Sequence, residues 1–328
     1  MSKDYDVCVV GSGAGAGPII SELAQQGKSV LVLEKGPWLT EKDYTKDEMA
    51  CCRRSVYTPN LEDEQHVLEQ ENEDGSWVSE STYESGWDFW NGNVVGGSSN
   101  FMSGYFYRIK PKDFRLLSEF GPIKGANIAD WPISYEDMEP YFTKTETAVG
   151  ISGKIVAHKH QEPRSTKDFP YPPTSEHPIV NRIDKACGDL NITSLPTPRA
   201  ILSRSKGKRN SCAYSGFCGS YGCQTGAKGS ARAALLDDAV VTGNCEIWPN
   251  SKVYKLKSNS KGQVVEALYY DINDKPQSVS AKIFVVACHA IETSRLLFAS
   301  TGPKHPNGLG NNYSQLGKNL LFSAGGSG

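Results

Sequence analysis

Residues 5–36 contain two short apolar runs that flank a glycine-rich turn, and this arrangement constrains the fold more than any other feature of the chain. The first run, DVCVV, predicts a buried strand, and the second, SVLVLE, predicts another strand that ends in an acid. Between them, GPIISELAQQG has apolar residues at helical spacing and a final glycine suited to the end of a helix. The segment therefore predicts a strand–turn–helix–strand unit of a doubly wound, Rossmann-like α/β fold.

The glycines of this turn fall where a dinucleotide-binding unit needs them. Gly11 permits the tight turn, Gly13 lets the backbone approach a pyrophosphate, and the helix N terminus offers unpaired N–H groups to the phosphate charge. Glu34, at the end of the second strand, is placed to accept hydrogen bonds from ribose hydroxyls. An acid here disfavours NADP but does not separate NAD from FAD. The predicted nucleotide site comprises Gly11, Ser12, Gly13, Gly15, Ala16 and Glu34.

Composition and charge narrow the class of protein. The 328 residues suffice for about two domains. With 35 basic and 37 acidic residues the net charge is −2, which favours neither nucleic acid nor an anionic membrane as a partner. The N-terminal residues lack the basic region and cleavage site of a secretory signal, and no apolar run reaches the roughly 18 residues of a transmembrane helix. We expect a cytoplasmic protein, or a periplasmic one if a partner subunit exports it.

Two segments further along the chain resemble one family of flavoproteins. Residues 90–114 read WNGNVVGGSSNFMSGYFYRIKPKDF, and residues 129–153 read ADWPISYEDMEPYFTKTETAVGISG. Together with AKIFVVACHAIETSRLLFAS (281–300) and GLGNNYSQLGKNLL (308–321), they resemble the glucose–methanol–choline (GMC) family of FAD oxidoreductases. Within that family the chain most resembles the flavoprotein subunits of gluconate and related sugar or polyol dehydrogenases.

The resemblance implies a second set of cofactor residues. In the VGGSS turn two glycines let the backbone close on the flavin, while backbone N–H groups and two serines donate hydrogen bonds. Val253 marks the strand that meets the adenine, and Ala287 ends the returning strand. The FAD residues implied in this way are Gly96, Gly97, Ser98, Ser99, Val253 and Ala287.

The chain departs from the family pattern at two places. Phe101 and Met102 stand where family members often carry Asn or His, so neither is expected to give polar help to the flavin ring. His289 replaces the usual glycine of the segment A-[AC]-G-A-I-E-T. We therefore expect the turn at Cys288 and His289 to approach the cofactor differently.

The resemblance implies an FAD-dependent enzyme that oxidises an alcohol group of a sugar, polyol or sugar acid by hydride transfer. The family's base is a histidine near the C terminus, and nothing here matches it, so we expect it beyond residue 328 and name no catalytic residue. Two alternatives stay open: an oxidase of sterols or long-chain alcohols that passes electrons to O2, and a non-catalytic truncated relative. A cytochrome c subunit and a small export subunit are implied partners.

The chain divides into three predicted segments. Residues 1–130 begin the FAD-binding domain and include the part that wraps the flavin, and residues 206–328 continue it in a chain that we expect to be truncated. Residues 131–205 belong to the substrate side and form part of a second, substrate-binding α+β domain. Within the last segment, turns are predicted at 259–262 and 273–276.

Three cysteines lie close together in NSCAYSGFCGSYGCQTGAKGS, residues 210–230. Their C-x5-C-x4-C spacing does not suit zinc, which needs closer pairs and a fourth ligand, and an odd total of nine cysteines argues against a disulfide framework. Three thiolates suit an iron–sulfur cluster that lacks one iron. The resemblance to sugar dehydrogenases implies a [3Fe-4S] cluster on Cys212, Cys218 and Cys223. Cysteines that merely pack in a tight turn are the alternative, and both interpretations stay open.

Three other ionisable side chains are expected at the surface. Lys228 and Arg232 follow the cysteines in a predicted helix start, where solvent or a partner would surround them. His66 lies in a polar, acidic stretch, where solvation is the expected state.

Overall fold

The computed structural model describes residues 4–47, 65–85, 92–159 and 161–321. Parts of the predicted flavin-wrapping segment (48–64 and 86–91), His160 and residues 322–328 lie outside the described residues. The strands are β1 (Tyr5–Val10), β2 (Val30–Leu33), β3 (Val67–Glu71), β4 (Trp77–Ser81), β5 (Cys245–Trp248), β6 (Lys252–Ser258), β7 (Val264–Tyr270) and β8 (Pro276–Val286). The α-helices are α1 (Gly17–Gln25), α2 (Thr82–Ser85), α3 (Leu116–Phe120), α4 (Tyr135–Val149), α5 (Val180–Asp189), α6 (Asp237–Val241) and α7 (Ala290–Ala299). Two 3₁₀ turns (Gly97–Phe101, Pro111–Arg115) and a π-helical turn (Arg232–Leu236) complete the described elements.

The main sheet has six strands in the order β5-β2-β1-β8-β7-β6. The four strands β5, β2, β1 and β8 are parallel, and β7 and β6 extend them as an antiparallel meander. β8 joins the two parts because its first half pairs with β7 and its second half with β1. The turns predicted at 259–262 and 273–276 are confirmed as the β6–β7 and β7–β8 connections.

Both faces of the parallel sheet are covered, as the continuous apolar runs of β1 and β2 require. On one face Val7 and Val9 pack against Ile20 of α1 and against Leu236. On the other face Cys8 packs in a cluster that includes residues of β6, β7 and α7. Successive residues of β1 therefore serve opposite layers, which confirms the predicted doubly wound α/β class.

The remaining described residues form a region with less regular structure. Its longest element is α4, which begins after a capping box in which Ser134 and Asp137 satisfy each other's backbone N–H groups. The longer stretches beside α4 and α5 are held by isolated bridges, such as the one between Ser152 and Arg199. In the described part of the chain, no helix combines the length and the apolar character needed to cross a membrane.

Candidate dinucleotide site

The turn after β1 runs against the end of β8. Gly11 has a φ of +90°, and a Cβ at this position would lie 2.7 Å from the carbonyl oxygen of Ala287 and 2.8 Å from Cα of Cys288. The N–H of Gly11 donates to the carbonyl of Leu33 at 2.9 Å, which fixes the turn to the end of β2 as well. Only glycine satisfies both the backbone angle and the contact.

A cavity of about 620 Å³ opens at the carboxyl ends of the parallel strands, where open α/β sheets bind their ligands. Cβ atoms at Gly13 and Gly15 would meet no atom within 4 Å, so the turn presents bare backbone to open space. The predicted cofactor residues that line the cavity are Gly11, Ser12, Gly13, Gly15, Glu34, Gly97, Ser98, Ser99, Val253 and Ala287. The structure thus brings to one cavity the two glycine turns, Glu34 and Val253, which are far apart in the sequence.

Two predicted residues, Ala16 and Gly96, lie behind the cavity instead of in it. Ala16 is fully buried in the core under α1. Gly96 has a φ of +94°, and a Cβ there would lie 2.8 Å from Cβ of Arg232. Both residues therefore support the turns through close packing, because each is enclosed by protein on the side where a side chain would project.

Glu34 connects the two glycine turns. Its Oε2 accepts hydrogen bonds from the Ser12 hydroxyl at 2.6 Å and the Ser12 N–H at 3.1 Å, and its Oε1 accepts from the N–H of Gly36 at 3.1 Å. The Ser12 hydroxyl in turn accepts from the N–H of Gly96 at 3.0 Å. Burial raises the pKa of Glu34 against the effect of these bonds. A carboxylate has about four acceptor sites, so capacity remains for a ribose hydroxyl.

The second turn packs directly on the first. A Cβ on Gly97 would lie 3.1 Å from Cα of Gly13. The hydroxyl of Ser99 donates to the Gly96 carbonyl at 2.6 Å, so its proton is used within the protein and not offered to a ligand, unlike the predicted role. The amide of Asn100, which sequence reasoning missed, donates to the Val95 carbonyl at 2.9 Å and holds the turn closed.

Phe101 takes no part in the cavity. Its side chain is buried against Val94 and meets the ring of Tyr44 edge-on, with centroids 5.9 Å apart. Phe101 therefore packs in the core, and its relation to the flavin stays a prediction.

The rim of the cavity carries charged side chains that the sequence did not single out. Lys35, Glu292 and Arg295 line it together with His289. Glu292 accepts from Arg295 Nε at 2.9 Å, and its Oε1 lies 3.1 Å from His66 Nε2. The expectation that His66 is solvated is therefore wrong, because its ring, just before the start of β3, contacts Glu292 of α7. Burial acts to raise the pKa of Glu292, but the His66 hydrogen bond and the two neighbouring cations outweigh it and lower the pKa to about 2.

The three cysteines lie against one small core cluster. Cys212, Cys218 and Cys223 are half-buried against a cluster that contains Leu202 and Ala227. Across the described residues, no three His, Cys, Asp or Glu side chains are grouped so as to hold a metal ion. The described contacts of these cysteines are those of packing residues, and the cluster predicted at these positions stays a prediction.

Lys228 and Arg232 are buried, which corrects the expectation that they face solvent. Lys228 is 3% exposed and donates to the carbonyls of Cys218 at 2.9 Å and Tyr221 at 2.8 Å. Arg232 forms ion pairs with Glu41 and, at 2.8 Å, with Asp237. Each cation is tolerated inside because the surrounding oxygen atoms replace its hydration.

The cavity suits an adenine dinucleotide. Its floor is backbone without Cβ atoms, its buried acid has an acceptor site to spare, and its volume lies within the range of small-ligand pockets. These features, at the switch point of a doubly wound sheet, define the class of dinucleotide-binding α/β proteins. A sequence model of GMC oxidoreductase matches residues 78–322, and the chain belongs to that family.

Curated relatives agree with this assignment. The chain is 28% identical over 320 residues to a protein of Streptomyces lividus named 6'''-hydroxyparomomycin C oxidase, covering 97% of this chain and 54% of that protein. It is 30% identical to a 2-methyl-1,2-propanediol dehydrogenase of Mycolicibacterium austroafricanum, with 96% and 54% covered. It is 24% identical to the large subunit of a fructose dehydrogenase of Gluconobacter japonicus, with 96% and 58% covered. The chain thus spans about half the length of these relatives.

The fold has a match among solved structures. An FAD-dependent oxidoreductase from Chaetomium thermophilum superposes with a TM-score of 0.59 at 18% identity, covering 90% of this chain and 47% of that one. Similarity at this level of identity establishes the fold alone, whereas the glycine turns and the cavity indicate the class of ligand.

Proposed function

We propose that this chain holds FAD for an oxidoreductase that acts on CH–OH groups of a sugar, polyol or related alcohol. The observation that carries the proposal is the pair of glycine turns facing one cavity beside the buried Glu34. Family membership and relatives named as alcohol and sugar oxidases or dehydrogenases support the reaction class. Bound FAD would supply the acceptor for a hydride from the alcohol carbon.

In this proposal the chain's own residues bind and orient the cofactor. The bare backbone at Gly13 and Gly15 would receive the pyrophosphate next to the start of α1. Glu34 would accept from the ribose, and Val253 would meet the adenine. Residues 1–130 and 206–328 would act as one FAD-binding unit because the strands of the sheet come from both, with residues 131–205 on the substrate side. The base remains a prediction for a histidine outside residues 1–328.

The proposal is tested by cofactor loading. Refolded or purified protein should bind FAD and show flavin absorbance, whereas Gly13→Val should remove binding, because the side chain would fill the space that the pyrophosphate needs. Gly216→Val is the matched control, since Gly216 is exposed and its Cβ would also meet no atom within 4 Å. Full flavin loading of Gly13→Val would refute the site, and loss of flavin in both variants would show a general defect in folding.

The electron acceptor divides the proposal into two branches. Transfer to a cytochrome or quinone, through a [3Fe-4S] cluster on Cys212, Cys218 and Cys223, follows the resemblance to sugar dehydrogenases, and a relative named as a large subunit supports partner subunits of the kind predicted. The same protein would then be exported to the periplasm with its partners. Transfer to O2 is supported by a relative named as an oxidase.

The two branches are separated by iron content and by reoxidation of the flavin. The cluster requires about three irons per flavin in anaerobically prepared protein, lost in Cys218→Ser while FAD stays bound. Chemically reduced protein without iron that is reoxidised rapidly by O2, and slowly by cytochrome c, would support the oxidase branch and assign the cysteines to packing.

A further inference from the structure

His289 has a backbone conformation that is almost restricted to glycine. Its φ is +71° and its ψ is 155°, in the region where a Cβ is strained against the backbone. The residue directly precedes α7, and its carbonyl accepts the first N–H bond of that helix, from Thr293 at 2.8 Å. A glycine would adopt this conformation without strain, so the histidine side chain is retained at a cost in stability.

The contacts of the imidazole ring within the protein do not offset this cost in stability. Within the described residues, the ring of His289 makes no hydrogen bond, whereas the other rim groups, including Glu292 and Arg295, bond to each other. A strained residue that persists without a compensating contact points to a role with a ligand.

His289 is one of the residues that line the dinucleotide cavity. The two residues before it, Ala287 and Cys288, touch the turn at Gly11, which fixes the start of α7 against the first glycine turn. Glu34 and Lys35, at the end of β2, line the same space. Burial lowers the pKa of His289, Lys35 and His66 act in the same direction, and Glu292 acts against them. The ring is therefore mainly neutral at pH 7, as suits a stacking surface.

We propose that His289 is a positioning residue for the adenosine half of the dinucleotide, which its imidazole ring contacts face to face inside the cavity. The proposal rests on the proposed FAD function. Stacking suits this place because an adenine has no charge to match and the cavity wall offers mainly apolar strand residues such as Val253. One aromatic surface on this wall would then fix the plane of the base while Glu34 fixes the ribose.

The test compares three variants of the whole chain by FAD affinity and by stability without FAD. His289→Gly should raise the melting temperature of the FAD-free protein, because strain is released, and should raise the dissociation constant of FAD about tenfold, the loss typical of one base–aromatic stack. His289→Phe keeps a ring and should bind FAD within about threefold of the parent protein. Asp274→Gly is the matched control: it relieves a φ of +55° in the exposed β7–β8 turn and should leave FAD affinity unchanged.

A second titration assigns the effect to one half of the cofactor. The dissociation constant of ADP, measured by calorimetry, should rise by the same factor as that of FAD in His289→Gly, whereas that of FMN should not change. Unchanged FAD affinity in a stabilised His289→Gly protein would overturn the proposal, as would equal losses in the Phe and Gly variants. If the parent protein itself bound no FAD, the proposed function would fail, which is a different outcome from failure of His289 alone.

Discussion

The dinucleotide cradle is formed by the two glycine turns, at residues 11–17 and 92–97, together with residues 34–36. The cradle and the region around α4 are held together by different kinds of contact. The cradle is built from backbone contacts at glycines: Gly36 would place a Cβ only 1.7 Å from the carbonyl oxygen of Asn93, and Gly97 rests on Gly13. The region around α4 is built from buried charges. There Glu146, 2% exposed, accepts from Arg108 at 2.8 and 2.9 Å and also pairs with Arg164.

This difference predicts which substitutions each region tolerates. A glycine contact fails when one carbon is added, because two backbones cannot move apart without opening the sheet. A buried ion network fails when one charge is removed, because the partners are left in a poorly solvating interior. Arg108 also donates to Glu139 at 2.9 Å and Thr143 at 3.0 Å, so the network fixes several turns of α4 to one side chain.

The largest expected effect is that of Gly36→Ala. Its Cβ would overlap the carbonyl group of Asn93 at 1.7 and 2.0 Å, which no rotamer change can relieve. We expect this variant to yield no folded protein, as judged by circular dichroism and gel filtration. Gly13→Ala is the control within the cradle, because its Cβ meets nothing: it should keep the parent's unfolding free energy within about 0.5 kcal/mol. A folded Gly36→Ala protein would show that the backbone at Gly36 and Asn93 can move apart far enough to accommodate the added carbon.

Next in size is Glu146→Gln, which removes the charge between Arg108 and Arg164. We expect a loss of about 3–5 kcal/mol in the free energy of unfolding, the cost of leaving buried cations without their partner. Asp189→Asn, which breaks the exposed pair with Lys185, should cost less than about 0.5 kcal/mol. Urea unfolding measures both, and similar small losses in the two variants would show that the buried charges do not hold the region around α4 together.

A smaller effect is expected from acid at the cavity rim. The pKa of Glu292 is lowered to about 2 from the usual 4.5, since burial, which acts to raise it, is outweighed by His66, Lys35 and Arg295. A lowered carboxyl pKa contributes stability that is present above pH 4.5 and is lost as the pH falls towards 2. Glu292→Gln should therefore flatten the pH dependence of stability between about pH 4.5 and 2. An unchanged pH dependence of stability in Glu292→Gln would mean that the contacts of Glu292 with His66 and Arg295 do not persist in solution.

The smallest expected effect comes from a glycine that takes part neither in the cradle nor in the ion network of α4. Gly188 lies in α5, and a Cβ there would meet no atom within 4 Å. Gly188→Ala should stabilise the protein by about 0.5–1 kcal/mol through helix propensity. Gly243→Ala, equally open but at a φ of +77°, should destabilise it by about 1–2 kcal/mol. Equal shifts in melting temperature would contradict the assignment of α5 as a helix at this position.

The first glycine turn of the cradle was predictable because its parts are close in sequence. Gly11, Gly13 and Glu34 fall within one strand–turn–helix–strand unit, and their spacing is set by the lengths of those elements. Prediction was less accurate behind the cavity, where Ala16 and Gly96 serve packing and the Ser99 hydroxyl bonds to its own turn. Such exchanges of role cannot be read from a motif, because a glycine that faces a ligand and one that faces protein have the same sequence signature.

The sequence by itself determined the doubly wound fold and the first glycine turn, since apolar periodicity and turn residues act over a few neighbours. The family, and with it the role of the second glycine turn, followed from the resemblance of four longer segments. Only the tertiary structure decided where the charges lie. His66 meets Glu292 across 226 positions of the chain, Arg108 meets Glu146 across 38, and Lys228 is buried among carbonyls instead of facing solvent. The reason is physical: the free energy of a charge depends on the groups that surround it in space, and chain order does not specify those groups.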